Sequence, residues 1–184
     1  TLDSGVLDNQ NVIERLGEIK EEEKIKIGLT TSGANQNEII RHALEIEIDG
    51  LPLFEVFQVT YNVLDQSLAI LIAELKDRRV IIKEALANGR LFRNDSYPHY
   101  KKLYDFQEKL AGKYNVGIDA INLRFVLNSI SPYSVLSGAA LPQQIRENYQ
   151  ATTFVFDENE VSELLGFGIN PHHYWEERKQ LVWN

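Results

Sequence analysis

The sequence predicts an α/β fold built around a parallel β-sheet. Short β-branched runs alternate along the chain with amphipathic stretches of helical periodicity. We expect no hairpin between these runs, so each strand should return to the sheet through a crossover helix. The chain has 184 residues, which is the size of one domain or of part of a larger one.

Four runs are predicted as strands. Residues 24–30 (KIKIGLT) end in a Thr-Thr-Ser-Gly turn, and residues 55–60 and 79–83 have the same β-branched character. A shorter run, residues 133–136, directly precedes a Ser-Gly turn. The order of these runs predicts four successive parallel strands.

Six stretches around the strands are predicted as helices, because their apolar residues recur on one helical face. We expect Asn35 or Asn37 to cap the second helix and Pro142 to lie in the first turn of the last. The Glu21–Glu23 run is interpreted as a solvated helix face. The predicted helices are residues 11–23, 37–46, 68–75, 99–114, 118–128 and 142–150.

The spacing of the strands narrows the fold. The first two predicted strands begin about 31 residues apart, which is the length of one unit in a (β/α)8 barrel of ~250 residues. Four parallel strands alone would leave two open edges, which soluble proteins normally cover. We therefore expect residues 1–184 to supply about half of a parallel (β/α)8 TIM barrel, with the other half contributed from outside this sequence.

Composition argues against several classes of partner. Lys and Arg number 19 and Asp and Glu 27, so the net charge is −8, and the pI is about 5.1. This balance repels phosphate backbones and acidic membrane surfaces, and no apolar run is long enough to cross a bilayer. Cysteine is absent, which excludes disulfides, a thiolate nucleophile and a Cys-based zinc site. We expect a cytoplasmic protein without nucleic-acid or membrane partners.

The sequence begins at Thr1 and contains no methionine. Processing and chance are simple explanations. A fragment of a longer polypeptide, or selenomethionines that were not written out, would also explain both observations. We therefore treat an incomplete sequence as a hypothesis.

Familiar catalytic signatures are missing from the sequence. It contains no Gly-x-Ser-x-Gly elbow, Walker loop, His-Glu-x-x-His or Gly-x-Gly-x-x-Gly pattern. The adjacent pair His172 and His173 is expected at the surface or in a tail, because neighbours on an extended segment point apart. We expect no metal site.

In a barrel of this kind, function lies where strands end, so the residues at those positions are the first candidates. Lys83 follows an apolar strand, where a lysine is a Schiff-base nucleophile, a phosphate partner or an ion-pair partner of Glu84. Gln58 is a polar residue inside an apolar strand, aimed at the barrel interior or satisfied by a neighbouring backbone group. The turn at Gly138 opens a helix whose first amides favour an anion.

Several segments together resemble one family. Residues 118–128 (IDAINLRFVLN), 134–139 (SVLSGA) and 142–148 (PQQIREN) resemble the C-terminal signature of the aldo/keto reductases. Residues 26–32, 57–62 and 82–89 resemble the family's fifth, sixth and seventh strands. The resemblance covers nearly the whole chain in the right order, and it implies that the four strands are strands 5–8 of the barrel.

The resemblance implies a nicotinamide cofactor, NADP or NAD. Thr30 and Thr31 match the pair that holds the carboxamide, with Gln58 as their partner, and Lys83 replaces an aromatic that stacks on the nicotinamide. The remaining matches are the pyrophosphate loop and the adenosine site. The implied cofactor-binding residues are Thr30, Thr31, Gln58, Lys83, Glu84, Leu86, Asn88, Gly89, Arg90, Gly138, Ala139, Gln144, Glu147 and Asn148.

Two of these positions leave the choice between NADP and NAD open. Gln144 stands where NADP-preferring members of the family often have Arg, and Gly138 stands where some have Lys. The family's catalytic residues lie in the first half of the barrel, so they are expected upstream of Thr1. The tail from about residue 166 matches a variable C-terminal loop that shapes the substrate pocket. For the tail residues Trp175 and Trp183, plain packing is the alternative.

The resemblance implies an NAD(P)H-dependent oxidoreductase that reduces a small carbonyl compound to an alcohol, or the reverse. Residues 1–184 alone should be inactive, and an oligomer is possible. Two alternatives stay open. One is a Schiff-base lyase or aldolase that uses Lys83 and grips phosphate at the Gly138 turn. The other is a non-catalytic, redox-sensing subunit that binds the cofactor.

Overall fold

The computed structural model describes residues 5–181, which form an α/β fold with a parallel sheet. The strands are β1 (Ile27–Thr30), β2 (Glu47–Ile48), β3 (Leu51–Pro52), β4 (Phe54–Thr60), β5 (Arg79–Lys83) and β6 (Ser134–Val135). The α-helices are α1 (Gln10–Glu23), α2 (Gln36–Leu44), α3 (Lys101–Tyr114), α4 (Ile118–Ile130), α5 (Pro142–Tyr149), α6 (Glu158–Leu165) and α7 (Pro171–Lys179). Short 3-10 turns cover Val6–Asp8, Ser67–Leu71, Ala87–Gly89, Pro98–Tyr100 and Gln150–Thr152.

The main sheet has four parallel strands in the order β1-β4-β5-β6. Its register places Thr30 beside Gln58 and Gln58 beside Ile81. All four predicted strands therefore form, in the predicted order. Because the strands are parallel, their carboxyl termini all lie at the same end of the sheet.

The two faces of this sheet differ in burial. Phe57, Val59 and Ile82 are completely buried and join one hydrophobic core with the helices. On the other face Thr30 is exposed, and Gln58 and Ile81 are only half-buried. Burying a large apolar side chain stabilises a fold by about 1.5–3 kcal/mol. The helix-covered face therefore holds the sheet together, and the second face is left open.

The expectation that no hairpin forms is wrong. Strands β2 and β3 pair antiparallel around Asp49 and Gly50, whose φ angles are 52° and 75°. Asp-Gly is a favoured dipeptide for such a turn, because both positions need a left-handed backbone. The hairpin packs on α1, where a Cβ on Gly17 would stand 3.1 Å from the Ile48 side chain.

Two of the predicted helices differ from the structure, one in its N-terminal cap and one in its length and type. Asn35 precedes α2 but makes no capping hydrogen bond. Asn37 lies inside α2 and donates to the Ser67 carbonyl at 2.7 Å, so it does not precede the helix as a cap would. The buried Gln36 side chain ties the start of α2 to β4, because it donates to the Thr60 carbonyl at 3.0 Å and accepts from the Thr60 amide at 3.1 Å. The predicted helix over residues 68–75 contains only a 3-10 turn at Ser67–Leu71. Asp65 Oδ1 accepts from the Ser67 amide and hydroxyl there, so local bonds compete with a longer helix.

The segment from residue 166, expected as a variable loop, contains the packed helix α7. Tyr174 is completely buried, and Trp175 donates from Nε1 to Asp65 Oδ2 at 3.1 Å. His172 and His173 are exposed, on a helix rather than on an extended segment. Trp183 lies outside the described residues. None of the described helices is long and apolar enough to span a bilayer.

Candidate functional site

Two adjoining cavities lie at the carboxyl ends of β5 and β6. The strand-end cavity has a volume of about 360 Å³ and is lined by Lys83, Glu84, Ala85, Leu86, Asn88, Gly89, Phe92, Leu136, Ser137 and Gly138. The α5 cavity has a volume of about 170 Å³ and is lined by Leu86, Phe92, Asp119, Ser137, Gly138, Ala139, Gln144, Glu147 and Asn148. The two share four lining residues and thus form one groove. Ligands of open α/β sheets bind at the carboxyl ends of the strands, where this groove lies.

The loop after β5 has an unusual backbone. Glu84, Ala87 and Asn88 have φ angles of 55°, 48° and 55°, and Gly89 follows at 87°. Non-glycine residues adopt this left-handed conformation at a cost, and they cluster at sites that bind ligands. The strain therefore indicates a functional loop along the strand-end cavity.

The C-terminal helix holds this strained loop from one side. The Glu84 side chain accepts from Arg178 Nε at 2.7 Å and from the Tyr174 hydroxyl at 3.1 Å. Asn62 donates to the Glu84 carbonyl at 2.9 Å and to the Tyr174 hydroxyl at 3.0 Å. Burial raises the pKa of Tyr174, so the phenol stays protonated and able to donate. Glu84 thus faces α7 as well as the cavity.

Arg90 does not line either cavity. Its side chain is 1% exposed and donates from Nη1 to Glu177 Oε2 at 3.2 Å and to the Tyr174 carbonyl at 2.9 Å. Nε donates to the Ala87 carbonyl at 3.1 Å. The sequence placed Arg90 among the cofactor contacts, whereas its side chain turns inward and ties the loop to α7. This role depends on a helix about 80 residues away, which no local pattern reveals.

Lys83 ends β5 with a half-buried side chain that lines the strand-end cavity. Its ammonium donates to Ser32 Oγ at 2.6 Å, while Glu84 pairs with Arg178 at 2.5 Å. The ion pair of Lys83 with Glu84, one of the three sequence alternatives, is therefore not formed. Burial lowers the pKa of Lys83, and the nearby Arg178 lowers it further, against the opposing effect of Glu84.

Three predicted residues lie outside both cavities, on the neighbouring strands. Thr30 and Gln58 are register partners on the open face of the sheet. The Thr31 amide donates to the Gln58 carbonyl at 3.0 Å. The Thr31 hydroxyl is buried and has no hydrogen-bond partner among the described residues. The Thr31 side chain is 1% exposed, so this hydroxyl faces the protein interior rather than either cavity.

The turn between β6 and α5 is shaped by its side chains. Gly138 has a φ of 66°, and no atom lies within 4 Å of where a Cβ would stand. The Ala139 amide donates to Ser137 Oγ at 3.2 Å. Gln144 Oε1 accepts from the amides of Ala140 and Leu141 at 2.9 and 3.0 Å. Gln144 therefore caps the start of α5 while it lines the α5 cavity.

Asp119 is a lining residue that sequence reasoning missed. It lies in the first turn of α4 and lines the α5 cavity together with Glu147 and Asn148 of α5. In the orientation that satisfies both its neighbours, the Asn148 amide donates to Asp119 Oδ2 at 2.5 Å. Burial raises the pKa of Asp119, and the nearby Glu147 raises it further. In the sequence, an acidic residue two positions after Gly117 is typical of the first turn of a helix, so nothing there indicates that Asp119 lines a cavity.

A third cavity, of about 260 Å³, opens between α4 and α5. Its walls are mainly apolar side chains, among them Leu123, Leu127 and Ile145. It lacks the convergent polar groups of the groove, so it is the weaker candidate for a binding site. No group of three His, Asp or Glu side chains among residues 5–181 is arranged to hold a metal ion.

Comparisons with known proteins agree with the fold. The chain resembles the apo form of aldo-keto reductase AKR11C1 from Bacillus halodurans, with 19% identity and a TM-score of 0.66 over 88% of this chain and 59% of that one. It also resembles MGS-M4, an aldo-keto reductase from a Medee basin deep-sea metagenome library, with 17% identity and a TM-score of 0.65 over 97% and 58%. A Gox0644 mutant solved in complex with NADPH matches with 18% identity and a TM-score of 0.62 over 86% and 52%.

The chain spans little more than half the length of these solved structures. At such identities the likeness supports the fold alone. A search of curated proteins found no match to the sequence. The model of the aldo/keto reductase family matches residues 7–167, which is most of the chain. The chain therefore belongs to the aldo/keto reductase family.

Proposed function

We propose that the protein is an NAD(P)H-dependent oxidoreductase that reduces a small carbonyl compound to an alcohol, or catalyses the reverse reaction. One observation carries the proposal. Two adjoining cavities at the strand ends are lined by most of the residues that the family resemblance assigns to the cofactor. A strained loop on one side and a glycine turn on the other fit a long, narrow ligand.

Each part of the groove has a role in this proposal. Gly138, Ala139, Glu147 and Asn148 would hold the adenosine, and Leu86, Asn88 and Gly89 would cover the pyrophosphate. Thr30, Thr31 and Gln58 would hold the nicotinamide carboxamide, beside the groove on β4 and at the end of β1. A bound cofactor of this class supplies or accepts a hydride. Arg90 would act indirectly, because it fixes the loop without reaching the groove.

Lys83 is expected to act as a cofactor contact in the strand-end cavity. Its ammonium already has one fixed partner, Ser32 Oγ, which leaves further donor positions for a cofactor oxygen. It provides no ring for stacking on a nicotinamide. The interaction would therefore be a hydrogen bond or a charge–dipole contact.

We also propose that residues 1–184 form the C-terminal, cofactor-binding half of a single (β/α)8 domain, with strands 5–8. The open edges at β1 and β6 and the open face of the sheet support this. The proton donor would then lie in the other half, upstream of Thr1.

The test uses the full-length protein. Titration with NADH and NADPH, followed by tryptophan fluorescence and calorimetry, should show saturable binding. A panel of aldehydes and ketones should then support oxidation of the bound cofactor. Binding without turnover would favour the redox-sensing subunit, and no binding of either cofactor would overturn the proposal.

A matched pair of variants places the binding in the groove. Gly138→Ala forces a Cβ onto a backbone with φ of 66°, so it should weaken cofactor binding. Gly112→Ala lies inside α3, outside both cavities. There the same substitution favours the helix by up to about 1 kcal/mol and should leave binding unchanged. Equal effects of the two variants would place the cofactor elsewhere.

One observation also favours the lyase alternative. Burial lowers the pKa of Lys83, which raises the fraction of the neutral amine, the form that attacks a carbonyl carbon in Schiff-base formation. In that reaction the amine condenses with a carbonyl substrate and releases water, and borohydride then reduces the imine to a stable secondary amine. Borohydride treatment with the carbonyl panel, followed by peptide mass spectrometry, should show no adduct on Lys83 if the protein is a reductase. A substrate-dependent adduct would support the lyase.

A further inference from the structure

The α5 cavity is acidic. Two carboxylates, those of Asp119 and Glu147, line it, and no Lys or Arg is among its lining residues. Of the cations nearest in sequence, Arg146 is exposed on α5 and does not line the cavity, Arg93 is paired with Asp105 and Glu108, and Arg124 donates to Asn128 and to the Ala151 carbonyl. None of these arginines lines the cavity, so its lining residues carry a net negative charge.

Asp119 is the carboxylate that the surrounding structure holds in place. Its side chain folds back over Gly117, where a Cβ would stand 2.3 Å from Oδ1, and it accepts a hydrogen bond from the Ala120 amide. The described structure gives Asp119 no cationic partner. It is half-buried, so water screens its charge less than that of an exposed carboxylate.

Two kinds of adenosine ribose would meet this wall differently. A 2′-phosphate carries a charge of about −1.5 to −2 at neutral pH, and a second negative group in a partly desolvated site is strongly disfavoured. A free 2′-hydroxyl donates a hydrogen bond, and a carboxylate is its strongest acceptor. Dinucleotide sites that take an unphosphorylated ribose use an acidic residue in this way, whereas those that take the phosphate use Arg.

We propose that the α5 cavity selects a dinucleotide with a free adenosine 2′-hydroxyl, NAD(H), over its 2′-phosphorylated form, and that Asp119 is the specificity-determining residue. This inference rests on the proposed function, because it assigns the α5 cavity to the adenosine. Glu147 also lines this cavity and adds a second negative charge. The neutral Gln144 and Gly138 supply no compensating cation.

The first arm of the test needs no substitution. The full-length protein is titrated calorimetrically with NADH and NADPH, and with the fragments 5′-AMP and 2′,5′-ADP, which probe the adenosine site alone. NADH and 5′-AMP should bind at least about tenfold more tightly than their 2′-phosphorylated counterparts, because like charges in a desolvated site are costly.

The second arm assigns the selectivity to one side chain. Asp119→Asn keeps the size of the side chain and one acceptor oxygen and removes the charge. It should shift the NADPH-to-NADH ratio of dissociation constants toward NADPH by about tenfold. Glu163→Gln, on α6 and outside both cavities, removes the same charge elsewhere and should leave the ratio unchanged.

The outcomes separate this inference from the proposed function. Binding of both dinucleotides with NADPH the tighter, or an unchanged ratio in Asp119→Asn, overturns the inference and leaves the proposed function standing. Absence of binding by all four compounds overturns both. If Asp119→Asn fails to fold, Glu147→Gln tests the same wall and should shift the ratio in the same direction.

Discussion

The guanidinium of Arg90 stacks on the ring of Tyr174, with its central carbon 4.0 Å from the ring centre. The same guanidinium donates to the Tyr174 backbone carbonyl and to the Glu177 carboxylate. A guanidinium is planar, always charged and carries several N–H donors, so it can make these contacts at the same time. A lysine ammonium cannot stack and donate in this way. The pair therefore joins the loop after β5 to α7 as one rigid unit.

Arg90→Met should lower the free energy of unfolding by up to about 3–5 kcal/mol, because the buried Glu177 carboxylate then keeps only Tyr100 and two histidines as side-chain partners. Arg93→Met removes an arginine whose partners are exposed, so it should change the stability little. Chemical denaturation of both variants in the full-length protein measures the difference. Similar losses in the two would show that the Arg90 contacts are not special.

Gln144→Arg should tighten NADPH relative to NADH. It brings a cation to the wall of the α5 cavity, and a charge-assisted hydrogen bond is worth roughly 1.5–3 kcal/mol. The variant also loses the cap on the Ala140 and Leu141 amides, so some stability should be lost with it. Gln180→Arg adds the same charge at an exposed position just after α7, outside both cavities. If the two variants shift the ratio equally, Gln144 is not at the cofactor.

Lys83→Met should weaken cofactor binding by about 1–3 kcal/mol, if a hydrogen bond to the cofactor is lost. Hydride transfer at saturating cofactor should stay near normal, because the proton donor is expected in the other half of the barrel. Single-turnover kinetics and cofactor titration separate these effects. Normal binding with chemistry abolished is the result that a Schiff-base lysine predicts.

The effect of Asp119 should depend on pH. Burial and Glu147 hold the pKa of Asp119 above that of an ordinary carboxyl, so it loses its charge at a higher pH as the solution is acidified. Above that pKa, wild-type protein and Asp119→Asn should differ in their NADPH-to-NADH ratio. Below it, the difference should vanish. Titrations of the ratio from pH 8 downward, beside the protonation of Asp119 followed by carboxyl NMR shifts, check this, and a difference that persists after Asp119 has protonated would exclude it as the source.

Residues 1–184 alone should not form a stable monomer. The sheet has free edges at β1 and β6, and its second face carries the half-buried Gln58 and Ile81. Such a sheet pairs with another chain or aggregates. Size-exclusion chromatography and thermal melting of this segment test the expectation. A monodisperse monomer of 21.1 kDa with a cooperative melt would contradict it.

The sequence predicted what local patterns determine. The β-branched runs located all four parallel strands, and the motif at residues 134–148 located the Gly138 turn and α5. The hairpin was missed although Asp49 and Gly50 signal it directly, because its strands are only two residues long. For α7 no strong signal exists, since its buried and exposed residues do not form one apolar stripe.

The side-chain roles were harder to predict than the elements. Arg90 was grouped with the cofactor contacts because the family resemblance places it on the loop that covers the pyrophosphate. Its partners, Tyr174 and Glu177, come from another part of the chain. Asp119 was not among the predicted site residues, because its carboxylate comes near Glu147 only when α4 and α5 have packed together. In both cases tertiary packing decides where the charge is placed.

The link between the loop and α7 also has a consequence for the order of folding. Asn62 contacts Tyr174 across 112 residues of sequence, and Trp175 contacts Asp65 across 110. Contacts of such separation close late, because the entropy of closing a long loop must first be overcome. During synthesis the strands emerge well before the helix that fixes their loops. The groove therefore acquires its final shape only after α7 has been made and has docked.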